Sequence, residues 1–405
     1  MRRGIEFGFG LVVAGTIAGA PVIAADIPQR PPSIRIATFN ASLNRERPGE
    51  LTANLATPDD LQARNVAEII QRVRPDVLLL NEFDYDAAGR SVTAFQANYL
   101  ARSQNGAEPI AFAHSFSAEV NTGVASGVDL DGDGRSDHPV GDRAYGNDAL
   151  GYGAFPGQYG MVVLSRHPID RDRVRRFGGV LWRELPGALL PQRPDGSAYY
   201  PPAALDRLRL SSKNHWDVPI AAPGGELHLL ASHPTPPTFD GPEDRNGRRN
   251  HDEIRLWADY LAGGPRSGYL GSPEPPSRFV IVGDLNADPV DGESVPGAID
   301  QLLKHPKVNA GVIPVSVGGA GASRLQGGTN LAQRGEPARD TADFDDRSAG
   351  NLRADYVLPS RDFAVVGSGV FWPEPGDPLS RLVRMTPTVA SSDHRLVYLD
   401  LVPTP

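Results

Sequence analysis

The stretch FVIVGDLNADP (Phe279–Pro289) decides how the whole chain reads. Phe279–Val282 is a continuous apolar run rich in β-branched residues, as expected of a strand buried on both faces. It passes through Gly283 into Asp284, Asn286 and Asp288. Gly and Pro bracket the run and put these polar side chains on a rigid strand end. Alternation along an extended chain sends Asp284 and Asn286 to one side, about 7 Å apart. An acceptor and an amide donor facing one cavity suit a reacting group that must lose a proton while a negative oxygen is held. Taken alone, the segment also reads as an Asx turn closing a strand.

Working outward, a length of 405 residues accommodates one large or two ordinary domains. A hydrophobic fraction of 40% supports a sizeable core, and Gly 44 with Pro 38 points to many loops. The net charge of −9 argues against a broad basic footprint for nucleic acid. It leaves room for a local site where a metal ion supplies the positive charge. With Cys 0 there are neither disulfides nor thiolate chemistry, so stability rests on the core, helped by any bound metal. Residues 1–24 read as an export signal: Arg2 and Arg3, then the apolar Phe7–Pro21, then a small-residue cleavage site at Val22-Ile23-Ala24. A membrane anchor fits less well, because the run is short, glycine-rich and preceded by Glu6, and no later run approaches ~18 apolar residues. A secreted or periplasmic protein without stable membrane insertion is expected, and no obligate protein partner is evident.

Ile34–Asn40 reads as a first strand. Asp59 or Asp60 can cap a helix with Ala63, Val66, Ala67, Ile70 and Val73 on one face, and Val77–Leu80 is a strand ending in Asn81-Glu82. Residues 84–155 and 290–350 read as loop-rich insertions. Inside the first, Asp129, Asp131 and Asp133 alternate before Gly134 and resemble the start of a Ca²⁺ loop, although the closing acid is missing at Val140. A solvated acidic turn is the alternative. Met161–Leu164 is a further strand. Lys213, His215 and Asp217 alternate and could share one strand face, or form an exposed polar edge. Glu226–His233 is a strand finishing in Ser232-His233, whose histidine reads as structural or catalytic. Asn250 with Glu253 resembles a capping box opening a helix that carries Ile254, Trp257, Ala258 and Leu261. Arg353–Leu358 and Leu396–Leu401 close the set of strands.

Polar residues thus stand at strand ends throughout: Asn40, Glu82, His233, Asp284, Asn286, Asp355, Asp393 and His394. In order and local context they resemble the endonuclease/exonuclease/phosphatase superfamily, which includes deoxyribonucleases, exonuclease III-like enzymes, sphingomyelinases and inositol polyphosphate phosphatases. The matching pieces are TFN (Thr38–Asn40), LLLNE (Leu78–Glu82), GMVVLSR (Gly160–Arg166), SH (Ser232-His233), GDLNADP (Gly283–Pro289), DYVL (Asp355–Leu358) and SDH (Ser392–His394), all within one domain over 33–402.

The resemblance implies an α/β four-layer sandwich, two packed mixed sheets flanked by helices. It implies that Glu82 is the main metal carboxylate, with Asn40 and Asp393 completing the site. His394 would stand next to the scissile phosphate, oriented by Asp355. Asp284 would activate or position the attacking water, Asn286 would hold a phosphate oxygen, and His233 would be a phosphate contact or general acid. The tyrosine that some members place two residues before the glycine of the GMVVLSR strand is Gln158 here, with Tyr159 one position late. Oxygen ligands without cysteine suit Mg²⁺ or Mn²⁺. The expected activity is a divalent-metal-dependent phosphoesterase. A nuclease is the first substrate reading. A phosphatase or phospholipase on small or lipid-linked phosphates, with Lys213 and His215 reading a terminal phosphate, is the alternative. A non-catalytic binding protein on the same fold is a remote third.

Overall fold

Strands β1 (Ile34–Leu43), β2 (Val77–Phe83), β3 (His114–Phe116) and β4 (Met161–Ser165) begin a six-stranded sheet. A five-stranded sheet takes β5 (Arg175–Arg176), β6 (His215–Ala222), β7 (Gly225–Ser232) and β8 (Phe279–Asp284). After the short pair β9 (Ala342–Asp343) and β10 (Asn351–Leu352), β11 (Asp355–Pro359) completes the second sheet. Finally β12 (Phe363–Val370) and β13 (Val397–Pro403) return to the first. The strand orders are β12-β13-β1-β2-β4-β3 and β11-β8-β7-β6-β5. Both sheets are mixed, with β1 parallel to β2 and β7 parallel to β8. The computed structural model of the chain describes residues 33–404, so the leader read over 1–24 lies outside the described residues.

Strand alternation sorts the side chains into three apolar layers. Ile36, Val77, Leu79 and Val163 of the first sheet meet Trp216, Val218, Leu229, Val280 and Val282 of the second, forming the seam between sheets. Their neighbours Phe39, Leu78, Leu80 and Leu164 face the other way, onto Val66, Ile69 and Ile70 of the Leu61–Val73 helix. On the far side, Leu230, Phe279, Ile281 and Leu358 pack on Ile254, Trp257 and Leu261 of the Arg245–Ala262 helix. Helix, sheet, sheet, helix is the four-layer α/β sandwich that the family resemblance implies. Central strands covered on both faces need unbroken apolar runs, which is why Leu78–Leu80 and Phe279–Val282 show no polar alternation.

Several local expectations change. Asp60 does cap its helix, its carboxylate accepting from the Ala63 amide at 2.8 Å, an interaction worth ~1 kcal/mol. Asn250 does not open a helix: that helix starts five residues earlier, at Arg245, and Asn250 lies inside it. The Asn250 amide instead donates to the carbonyls of Thr235 and Leu285, and Glu253 turns onto Ser212 and Thr235. Residues 84–155 are not all insertion, since Phe95, Tyr99 and Leu100 enter the core and β3 forms an edge of the first sheet. Within 290–350 the chain forms the Asp300–Leu303 and Gly319–Gln326 helices and strand β9. Among the described residues no helix is long and apolar enough to cross a membrane.

Candidate active site

Topology alone gathers the polar strand ends at one edge of the sandwich. In the first sheet β1 and β2 run parallel, so Asn40 and Asn81 finish side by side and Glu82 follows directly. Because β13 is antiparallel to β1, its entrance, preceded by Asp393 and His394, lies at the same end. In the second sheet β7 and β8 end together, and antiparallel β11 enters beside them, with Asp355 directly opposite Asp284. Side chains separated by more than three hundred positions meet as a consequence.

Asp284 is the hub. Its Oδ1 accepts the Asn286 amide at 3.0 Å, closing an Asx turn, while Oδ2 faces Asn40 Nδ2 at 3.0 Å, His233 Nε2 at 3.4 Å and His394 Nε2 at 3.5 Å. The two readings of the GDLN stretch are therefore both realised, one on each oxygen. Asn286 leaves the strand with φ 52°, so strict alternation does not reach it, and its amide donates to the Pro234 carbonyl at 3.1 Å. It ties the exit of β7 to that of β8. Gly283 has φ 151°, and a Cβ there would lie 2.0 Å from the Ser232 carbonyl oxygen, so only glycine lets the two strand ends approach this closely.

His394 is buried between two acids. Its Nδ1 lies 2.9 Å from Asp355 Oδ2, which also accepts from the Thr341 hydroxyl at 2.8 Å. Burial works against charging this ring, but the carboxylates of Asp355 and Asp284 outweigh it and hold His394 protonated well above the ordinary imidazole range. Burial likewise opposes ionisation of Asp284, yet His394 and then His233 hold it well below the usual carboxylate range. Burial pushes Asp355 up. His233 is lowered to about 4 by burial and by the nearby Lys213 charge, so it is neutral at pH 7. Its Nδ1 is buried without a hydrogen-bond partner.

On the other side of Asn40, its Nδ2 also reaches Glu82 Oε1 at 3.1 Å. Burial and then the Asp393 charge push the Glu82 carboxyl up to about 7. Glu82 itself sits at φ 56°, a strained backbone held by the packed strand around it. Two acids crowded until one holds its proton near neutrality, with an amide between Glu82 and Asp284, form a donor set that fits a hard divalent cation. Glu82, Asp393 and Asn40 would hold it. Asp284, Asp355 and His394 also each place a ligand-type atom within 4.8 Å of the others. There the imidazole of His394, its pKa raised between Asp355 and Asp284, balances the charge of the two carboxylates.

Other expectations divide. Lys213 is 6% exposed, and burial lowers its pKa while Glu253, Glu82 and Asp284 act to raise it, placing it within electrostatic reach of the centre. It makes no ion pair among the described residues. His215 is removed from the site. It is fully buried, Nδ1 is 2.9 Å from the Ser211 hydroxyl, Nε2 is 2.9 Å from the Glu253 carbonyl, and the ring packs on Trp257. With both nitrogens engaged it cannot read a phosphate. Gln158 is structural, its amide donating to the Arg45 carbonyl. Tyr159 is the tyrosine close enough to Glu82 to feel its charge, burial first and then Glu82 pushing its hydroxyl up to about 12. Asp133 turns away to His138, and Asp148 joins Asp129 and Asp131 in its place. The sequence offered no sign of Asn81 as a support, yet its Oδ1 accepts the Asp284 backbone N–H at 3.2 Å.

Among solved structures, the chain is similar to an endonuclease/exonuclease/phosphatase from Beutenbergia cavernae DSM 12333 (19% identity, 92% of this chain and 72% of that one, TM-score 0.47). It is also similar to the catalytic domain of human Nocturnin with bound sulfate (12% identity, 92% and 95%, TM-score 0.45). A third is sphingomyelinase C from Streptomyces griseocarneus (16% identity, 91% and 99%, TM-score 0.44). No curated protein matches. Residues 37–394, which run from β1 to His394 and so enclose every strand end gathered here, match the model of the Endonuclease/Exonuclease/phosphatase family, and the chain belongs to that family.

Proposed function

We propose that this chain is an exported, divalent-metal-dependent phosphoesterase. Members of its family are hydrolases of phosphate esters. The observation that carries the reading is the unbroken row Glu82–Asn40–Asp284–His394–Asp355, in which a metal-type acid, an ionised acceptor and a charged imidazole stand in mutual contact. Glu82, Asp393 and Asn40 would hold a Mg²⁺ or Mn²⁺ ion, which would neutralise charge on the phosphate. The protein's own groups do the rest. Ionised Asp284 accepts a hydrogen from the attacking water and orients it for in-line approach. Protonated His394, fixed in place by Asp355, donates Nε2–H to a phosphate oxygen where negative charge builds. Neutral His233 offers a further contact on the same face, and the Lys213 ammonium a charge.

A nuclease is the first substrate class. A phosphatase or phospholipase on small or lipid-linked phosphates is the second reading, favoured by the net charge of −9 and by buried Lys213, which has no ion pair among the described residues. Incubating purified protein with plasmid DNA, RNA, a simple phosphodiester, inositol phosphates and phospholipid tests both, with Mg²⁺ or Mn²⁺ and then with chelator. Chelator-sensitive release of product from at least one substrate is expected. No hydrolysis of any of them with either ion contradicts the reading and supports a non-catalytic role. Export rests on Arg2, Arg3 and the apolar run before Ala24, and the N-terminus of the protein recovered outside the cytoplasm tests it.

A further inference from the structure

Away from the strand ends, the loop 129–148 brings together three carboxylates. Asp129, Asp131 and Asp148 each place a carboxylate oxygen within 4.8 Å of the other two. None of the three has a Lys, Arg or His ion-pair partner among the described residues. Their neighbours differ: Asp133 pairs with His138 at 2.9 Å and Asp137 with Arg135 at 3.0 Å. N–H groups of Gly132 and Gly134 reach Asp129, and those of Asp133 and Asn147 reach Asp131, which leaves the mutual repulsion of three like charges without a cationic side chain to offset it.

Asp148 makes the cluster more than an acidic turn. It is only 5% exposed, and its Oδ1 accepts the Leu130 amide at 2.6 Å. Its Oδ2 is buried with no hydrogen-bond partner. A buried carboxylate oxygen left without a donor keeps its desolvation penalty uncompensated. Here the orphan belongs to a side chain that closes on two further carboxylates.

We propose that Asp129, Asp131 and Asp148 bind a Ca²⁺ ion that fastens residues 121–158 to the core. An all-oxygen, carboxylate-rich set on an irregular loop suits Ca²⁺, which takes 6–8 oxygens in flexible geometry, whereas Mg²⁺ demands a near-octahedral cage. Backbone carbonyls and waters complete such a shell. The ion holds something larger than its own loop. The Ser126 amide donates to the Asp148 carbonyl, and short bridges join Thr122 to Gly151 and Ala125 to Ala149. From there Asn121 donates its backbone N–H to the Lys213 carbonyl at 2.9 Å and its side-chain amide to Ser211 at 2.7 Å. The loop therefore buttresses the strand entrance that carries Lys213.

The test uses full-length protein stripped of divalent ions, then held in saturating Mg²⁺ while Ca²⁺ is added. Isothermal titration calorimetry should show one Ca²⁺ bound per chain, and the melting temperature should rise by roughly 2–5 °C, as expected for a ligand well above its dissociation constant in a domain of this size. Asp148→Asn and the exposed Asp131→Asn should each abolish the rise, and Asp133→Asn should keep it. No Ca²⁺-dependent rise in the wild type overturns the proposal. So does a rise that survives in Asp131→Asn, or one lost in Asp133→Asn.

Discussion

Asp284 and Asp355 are register partners across the β8–β11 pair, and the ring of His394 lies with Nε2 3.5 Å from one and Nδ1 2.9 Å from the other. Two acids opposed in neighbouring strands would repel. The imidazolium between them removes the conflict, and the same arrangement turns Nδ1 to Asp355 and Nε2 to Asp284.

Removing one acid should therefore change the ring's charge before its position. Asp355→Asn is expected to lower turnover by roughly 10²-fold and to bring the alkaline limb of the pH–rate profile down towards neutrality. The stability consequence has a definite sign. His394 titrates higher in the folded state, so its contribution is complete below the ordinary imidazole value of 6.5 and is lost as pH rises through the raised one. Melting curves of wild type and His394→Gln across pH 6 to 9 check this: the gap between them should be widest at the acid end.

Glu82 gives the opposite dependence for metal. With its carboxyl pushed up to about 7 by burial and Asp393, an incoming ion must displace a proton below that pH. The Mg²⁺ or Mn²⁺ concentration for half-saturation should rise on going from pH 8 to pH 6, approaching about tenfold per unit at the acid end. Glu82→Gln should remove both the tight binding and its pH dependence. Calorimetric titration at several pH values measures it.

Gly283 offers a test of the frame. A methyl group there would lie 2.0 Å from the Ser232 carbonyl oxygen, on a backbone of φ 151° that side chains avoid. Gly283→Ala should destabilise the protein by more than ~2 kcal/mol in urea unfolding, with activity lost through separation of His233 from Asp284.

The parts legible in sequence were those where local pattern and tertiary role coincide. Leu78–Leu80 and Phe279–Val282 announce buried central strands because both faces are covered. Asp60 announces a helix start because its side chain bonds its own first turn. Strand β12 was not anticipated: the apolar run Phe363–Val366 breaks off at Gly367-Ser368-Gly369, and its burial does not alternate cleanly. His215 and His233 look alike as residues beside strand termini, yet one has both nitrogens bound in the core and the other has a free, buried Nδ1. Asp148 stands 19 residues from Asp129, a separation no periodicity reports. Which polar strand ends meet followed from strand direction, and no single segment carries that.

The central claim is that Asp284 and His394 serve one phosphate centre, and it is tested most directly by single substitution. Steady-state hydrolysis of a phosphate ester turned over by the wild type should be compared for His394→Ala and Asp284→Ala in saturating Mg²⁺ or Mn²⁺, with circular dichroism confirming an intact fold. A loss of roughly 10²–10⁴-fold in turnover for each is the result expected. Wild-type-like turnover by folded His394→Ala protein would contradict the account.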